Sequence, residues 1–248
     1  WVMNDGNDLP HFAIQDPVAD PIPEPLPIPL SGNGTSMDPY QIQTDEDFAL
    51  LSWYSSVLDA NLILTSDIDL SGREIYPIGD LDKFRGPFDG QGHTIFNAIL
   101  NQPNCDCVGL FSFIRSGAIV RDVNVIDINI IGRSYIGGLA GYNEGLIETC
   151  SVSGSIHGVY NVGGLAGGGA DSSSVTSCEC DGTVVGELRV GGLIGWSGGN
   201  LLLSHSSGSV GGSDDLGGLV GVNFSSISSC YSDSSVNSDQ DIFNCLGG

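Results

Sequence analysis

Basic side chains are nearly missing from this chain. Seven Lys and Arg face 30 Asp and Glu, Lys83 is the one lysine, and the formal net charge is −23 at pH 7. A surface of that sign repels phosphate, which argues against unassisted binding to nucleic acid or to an anionic membrane. It suits solubility, cation binding or a cation-rich medium. No apolar run approaches the ~20 residues a membrane helix needs, so no membrane span is expected. There is no HExxH, no CxxC and no D-x-[DN]-x-[DN]-G, so no metal site and no cofactor is expected; calcium on an acidic rim stays open without a motif behind it. No signal peptide precedes Trp1, which reads as the start of a mature product or a fragment.

What is abundant is glycine, 37 of 248 residues, about twice the usual ~7% share. Its placement is periodic. "IGGLAG", "VGGLAG", "VGGLIG" and "LGGLVG" carry Leu139, Leu165, Leu193 and Leu219, spaced 26, 28 and 26 residues apart. After each comes Cys150, Cys178, Ser204 or Cys230, flanked by an apolar residue three before (Ile147, Val175, Leu201, Ile227) and another six after (Ile156, Val184, Val210, Val236). The only length change among these units, two residues in "GGGADSSS", falls in one segment.

Fixed apolar columns with length variation at one place indicate stacked coils with a loop at one corner. A coil of this length with three short strands and no helix predicts an all-β fold: a parallel, right-handed β-helix solenoid with coils ~4.8 Å apart. Val and Leu of each motif are expected to point inward, and the glycines to permit sharp corners and close backbone approach.

Upstream, residues 1–16 read as an extended strand or hairpin. Residues 17–37 are a Pro-rich spacer of extended polyproline character. Residues 38–107 hold a capping helix and the first coils, and residues 108–248 the repeats. Thr44 and Asp47 make a capping-box start, with Phe48, Leu51, Tyr54 and Leu58 at helical spacing, so a helix over 45–58 is expected to cover the N-terminal end. "NLILTSDIDLSG" alternates as one half-buried strand. "CLGG" begins another coil and stops, which leaves the far end open to a second molecule.

These repeats resemble the GLUG repeat of secreted bacterial proteins. "NGTSMDPYQIQTDEDFALLS", "LTSDIDLSG" and "FDGQGHTI" are similar to the segment that introduces such repeats, and "WVMNDGNDLPHF" to the stretch that closes an array. The resemblance implies a large, modular, extracellular or cell-surface protein with adhesion-like character. Some members attach a peptidase or carbohydrate-active domain, and none is recognisable here.

Chemistry-bearing residues are few. Asp67 and Asp69 on one strand face would stand roughly 7 Å apart, a separation that fits inverting glycoside hydrolysis; the preferred reading is a solvated acidic edge that blunts aggregation. Lys83 and Arg85 are the nearest basic groups a polysaccharide lyase could use. Asp89 and His93 in "FDGQGHTI" read as a tight turn with Asp89 satisfying turn amides. His11, His157 and His205 are scattered and form no ligand set. Cys150 and Cys178 fall at ladder spacing that permits an inter-coil disulfide, or serve as small buried thiols. Asn33 in "NGT" and Asn223 in "NFS" match glycosylation acceptors. Trp53 and Trp196 look too far apart to form a sugar platform.

The expected function is non-enzymatic, structural or adhesive. Copies would join head to tail into a fibre or surface array, residues 1–16 of one pairing with the open coil of the next. The alternatives are a carbohydrate-active β-helix enzyme, and a passive module of a longer adhesin that binds surface glycans or proteins.

Overall fold

The computed structural model describes residues 28–79 and 83–238. The expected strand 1–16, most of the spacer, His11 and the final "CLGG" lie outside the described residues. The rest is a parallel β-solenoid built from four sheets.

Sheet I has eight strands: Tyr40–Ile42, Leu62–Leu64, Pro87–Asp89, Ile119–Arg121, Leu146–Glu148, Ser174–Thr176, Asn200–Leu202 and Ile227–Ser228. Sheet II carries the longest strands, Asn124–Ile131, Ser151–His157, Glu179–Val185 and His205–Gly212. Sheet III comprises Asp106–Val108, Ser134–Gly137, Tyr160–Gly163, Leu188–Gly191 and Asp214–Gly217. Sheet IV comprises Phe111–Ile114, Ala140–Asn143, Ala166–Gly169, Ile194–Ser197 and Val220–Asn223. Each full coil visits them in the order I, II, III, IV.

The columns read from spacing are columns in register. Ile147, Val175, Leu201 and Ile227 pair in turn, as do Ile156, Val184, Val210 and Val236. The leucines form one row: Leu139 N–H donates to Leu165 O at 3.0 Å, Leu165 to Leu193 at 2.9 Å, and Leu193 to Leu219 at 2.8 Å. Leu139, Leu165 and Leu193 are fully buried and Leu219 partly so. The first column continues upstream through Val120, Phe88 and Leu62, so the stack passes residue 107 without a break. The two extra residues of "GGGADSSS" lie in the corner between Gly169 of sheet IV and Ser174 of sheet I.

A full coil has four strands rather than the expected three. The glycine motif is itself a chain reversal: Val162 and Gly163 end a sheet III strand, Gly164 and Leu165 turn, and Ala166 and Gly167 begin a sheet IV strand. Sheet IV of each coil then lies against sheet III of the coil before. A β-carbon placed on Gly167 would fall 2.3 Å from the Ile136 nitrogen and 2.3 Å from the Tyr135 carbonyl carbon. Backbone packed against backbone at that distance excludes every other residue type.

Corners of another kind carry no glycine. Asp122, Thr149, Ser177, Leu203 and Ser229 sit at φ 51–55° between sheets I and II, and Cys107, Tyr135, Asn161, Arg189 and Asp215 at φ 52–60° in sheet III. Left-handed backbone costs an L-residue about 1–2 kcal/mol. Ladder bonds offset it: Thr149 N–H donates to Thr176 O and Ser177 N–H to Leu202 O, both at 3.0 Å.

The N-terminal cover is smaller than expected. The helix spans Asp45–Leu50, then breaks before a single 3-10 turn, Ser55–Val57. The Thr44–Asp47 capping box forms in both directions. The start is therefore secure, but Ser52, Ser55 and Ser56 are weak helix formers, and Ser52 Oγ donates instead to Tyr76 O. Phe48, Leu51, Val57 and Leu58 are nevertheless buried over the first coils, joined by Leu30.

Gly167→Ala should cost about 3 kcal/mol of stability, and Leu193→Ala about 2–5 kcal/mol through the cavity it leaves. Urea unfolding of each variant checks this, and a loss under ~1 kcal/mol for Gly167→Ala would contradict the packing.

Candidate functional site

Residues 61–72 are not one strand. Leu62–Leu64 belongs to sheet I and Ile68–Asp69 to sheet II, with a corner between them. Leu62, Leu64, Ile68 and Leu70 are all buried, as the alternation required, while Asp67 and Asp69 are exposed. Each acid grips the next coil. Asp67 Oδ1 accepts from Thr94 N–H at 2.9 Å and lies 3.2 Å from His93 Nδ1; Asp69 accepts from Asn97 Nδ2 and Ser71 N–H, both at 2.9 Å. The Thr94 amide, then His93, hold Asp67 below the usual carboxylate range, and Asn97, then Ser71, do the same for Asp69. Carboxyls lowered in this way are tied into the coil-to-coil contacts rather than raised as a general acid would be. The nearby cations are engaged elsewhere: Arg85 pairs with Asp59 at 3.0 Å, and Lys83 Nζ lies 3.5 Å from the Phe113 ring centroid.

Asp89 behaves as the turn reading expects. Its Oδ1 accepts from Gln91 N–H at 2.9 Å, and its Oδ2 takes Arg121 Nε at 2.9 Å and Nη2 at 2.6 Å. An open depression of about 410 Å³ beside it is lined by Asp89, Gln91, Gly92, Asp122, Asn124 and Thr149. His93 reaches Asp67 rather than Asp89. His157 lies 2.8 Å from Ser155 Oγ, and His205 lies 3.3 Å from Glu179. No group of metal-ligating side chains forms among the described residues.

Cys150, Cys178, Ser204 and Cys230 do occupy one column, and the column has a chemical rule. Cys150 Sγ donates to Glu148 O, Cys178 Sγ to Thr176 O and Cys230 Sγ to Ser228 O, each at 3.2 Å, and Ser204 Oγ to Leu202 O at 2.8 Å. Every bond spans one left-handed corner residue. In these four coils the position holds a small side chain with a hydrogen to donate, so serine can replace cysteine; one coil earlier Val123 follows the left-handed Asp122 without such a bond. Cys150 and Cys178 stand in the structure as buried free thiols. The hydrogen bond with Cys178, then burial, push the Cys150 thiol well up, and burial pushes Cys180 up to about 12. Asn33 and Asn223 are both exposed, their amides donating to Asp38 and to Ser225 O.

One arrangement was not foreseen from spacing. Three residues past Leu110 and past each ladder leucine, sheet IV aligns Phe113, Tyr142, Gly168, Trp196 and Val222. Phe113 and Tyr142 have ring centroids 5.1 Å apart, Tyr142 and Tyr135 5.3 Å, and Trp196 and Phe224 5.8 Å. A β-carbon on Gly168 would meet Tyr135 Cδ1 at 2.8 Å and Tyr142 Cδ2 at 3.0 Å, so the two tyrosines close the gap that glycine leaves. The rings are half-buried, and Phe224 is 72% exposed. Burial first, then Tyr135, Glu144 and Asp171, raise the Tyr142 pKa; Glu144 and Asp171 sit in the corners that follow the sheet IV strands Ala140–Asn143 and Ala166–Gly169. Trp196 therefore belongs to a line of rings, whereas Trp53 packs on Tyr76 at the cap.

The GLUG motif matches residues 132–156. Residues 132–156 thus carry a GLUG motif. The matched unit runs from Gly132 through Leu139 and Cys150 to Ile156, one coil of the stack. Halomucin of Haloquadratum walsbyi is 31% identical over 150 residues, covering 55% of this chain and 2% of that protein. A candidate Gly-rich membrane protein of Evansella cellulosilytica is 31% identical over 130 residues, covering 49% and 15%. The chain thus spans a small part of each relative's length. The crystal structure of a candidate immunoglobulin A1 protease from Bacteroides ovatus shares the solenoid, with a TM-score of 0.69 and 25% identity over 83% of this chain and 69% of that one.

Iodoacetamide on the native protein should label exposed Cys105 and spare Cys150, Cys178 and Cys180, read by peptide mass spectrometry; rapid labelling of Cys180 would contradict its burial. The acid response has a definite sign. Hydrogen bonds from Arg133 hold Asp106 below its ordinary 3.8. Its contribution is therefore complete above that value and fades as pH falls through the lower folded pKa. Asp106→Asn should melt below wild type at pH 6, and the gap should close in strong acid. A gap independent of pH would contradict the ion pair.

Proposed function

We propose that this chain is a non-enzymatic repeat segment of an extracellular, surface-attached protein, and that its solenoid joins further copies head to tail. The observation that carries the reading is the state of the last described coil. In the apolar columns Leu201 and Val210 are 1% exposed, yet one coil later Ile227 is 43% and Val236 45% exposed. Core columns exposed in the last described coil, with no further strand beyond it among the described residues, suit the addition of another strand. Residues 1–16 of a second copy are the proposed cover, with the Pro-rich spacer crossing between copies. A heterologous contact that does not close gives a filament.

The relatives support the surface setting. One is named a mucin, the other a membrane protein, and both are matched over a stretch far shorter than themselves. The strongly acidic composition favours solubility in such a setting and keeps laterally placed solenoids apart. Asp67 and Asp69, both held ionised and tied to the next coil, support a structural rather than hydrolytic use of those acids.

Sedimentation velocity of the 248-residue chain tests the assembly. Wild type should form species that grow with concentration, and either Ile227→Lys with Val236→Lys or removal of residues 1–16 should leave a monomer. A wild type that stays monomeric at the highest concentration reached would overturn head-to-tail joining.

A further inference from the structure

We propose that the aromatic strip on sheet IV is a binding track for a neutral polysaccharide chain in extended, β-linked form. The site is separate from the exposed final coil and does not depend on the assembly reading. Three features of the strip select this ligand.

The first is the repeat. Phe113, Tyr142, Trp196 and Val222 share one column, and Tyr135 fills the position that Gly168 leaves without a side chain. One coil advances the column by ~4.8 Å, close to the advance of one pyranose unit along an extended chain. A ligand made of repeating rings can therefore meet a repeating set of rings, and a straight chain can follow a straight column. Strand-to-strand register keeps the rings aligned without any loop having to order on binding.

The second is ring chemistry. The face of an aromatic ring is electronegative and attracts polarised C–H groups, which pyranose faces present in number. The strip is a narrow line of half-buried rings. A protein partner would call for a broader apolar centre inside a polar rim.

The third is charge. Glu144 and Asp171 sit in the corners that follow the sheet IV strands of Tyr142 and Gly168, and Lys83 lies over Phe113. Carboxylates accept hydrogen bonds from sugar hydroxyls and repel sulfated or uronic chains. The net charge of −23 acts in the same direction over a longer range. Neutral hydroxyl-rich chains fit this flank, and acidic glycans do not.

The test uses the whole chain with two neutral β-1,4-linked probes, cellohexaose and mannohexaose, and polygalacturonate as the acidic comparison, by isothermal titration calorimetry and affinity electrophoresis. Wild type should bind at least one neutral probe and should not be retarded by polygalacturonate. Tyr142→Ala and Trp196→Ala should each weaken binding roughly tenfold or more and together abolish it. Trp196→Tyr, which keeps a ring, should retain most of it, and Trp53→Ala at the cap should bind as wild type. Urea midpoints measured alongside separate lost rings from lost fold. No binding to either neutral probe, equal binding to polygalacturonate, or binding unchanged in the folded double variant would each overturn the proposal. None of these results would alter the sedimentation behaviour that tests assembly.

Discussion

The packing of sheet IV against sheet III of the preceding coil leaves no room for a side chain, and the rest of the stack follows from that. A β-carbon on Gly167 would lie 2.3 Å from backbone atoms of the coil before it, and one on Gly195 2.6 Å from Asn161. Once glycine lets those backbones meet, the Gly-Leu pair must turn between them, and the leucine is driven to the inside of the turn. Its N–H and carbonyl then join the neighbouring leucines at 2.8–3.0 Å, so the same contact that closes one coil sets the register of the next. A shift of one residue would put β-carbons where none fit. Register here is enforced by sterics as well as by hydrophobic pattern.

The remaining columns solve the complementary problem of turning without glycine. Thr149, Ser177 and Leu203 accept a left-handed backbone because the residue after each donates to the carbonyl before it, and because ladder bonds hold both flanks. Small donors in one column thus sustain strained corners in the next. The acids near the N-terminus play a related part: Asp67, Asp69 and Asp89 each reach a residue one coil further on. Much of the charged chemistry of this end goes into joining coils. The rings of sheet IV, apart from Phe113 under Lys83, take no part in these charged contacts, and the proposed ligand uses them.

The ladder leucines, both flanking apolar columns, the Cys/Ser column and the site of the two-residue insertion were all legible, because solenoid stacking converts spacing directly into contact. The fourth strand was not. Its strands are four residues long and rich in glycine, and they lack the alternation by which strands are recognised. The left-handed corners were hidden for a different reason: Asp122, Thr149, Ser177 and Leu203 share no side-chain property, and of these only the last three are followed by a side-chain donor. The aromatic strip was hidden because its column holds Phe, Tyr, Gly, Trp and Val, and its missing ring comes from Tyr135 on another sheet. Counting three residues past each ladder leucine was the signal available. The helix over 45–58 failed in its second half because apolar spacing persisted through serines that do not sustain a helix.

The central claim is that one residue per coil stands in each column, and contacts between leucine methyl groups test it most directly. In a protein with isotopically labelled leucine methyls, nuclear Overhauser effects should link Leu139 to Leu165, Leu165 to Leu193 and Leu193 to Leu219, in that order, across backbones ~4.8 Å apart. Leucines that fail to contact one another, or that do so out of sequence, would contradict the stack.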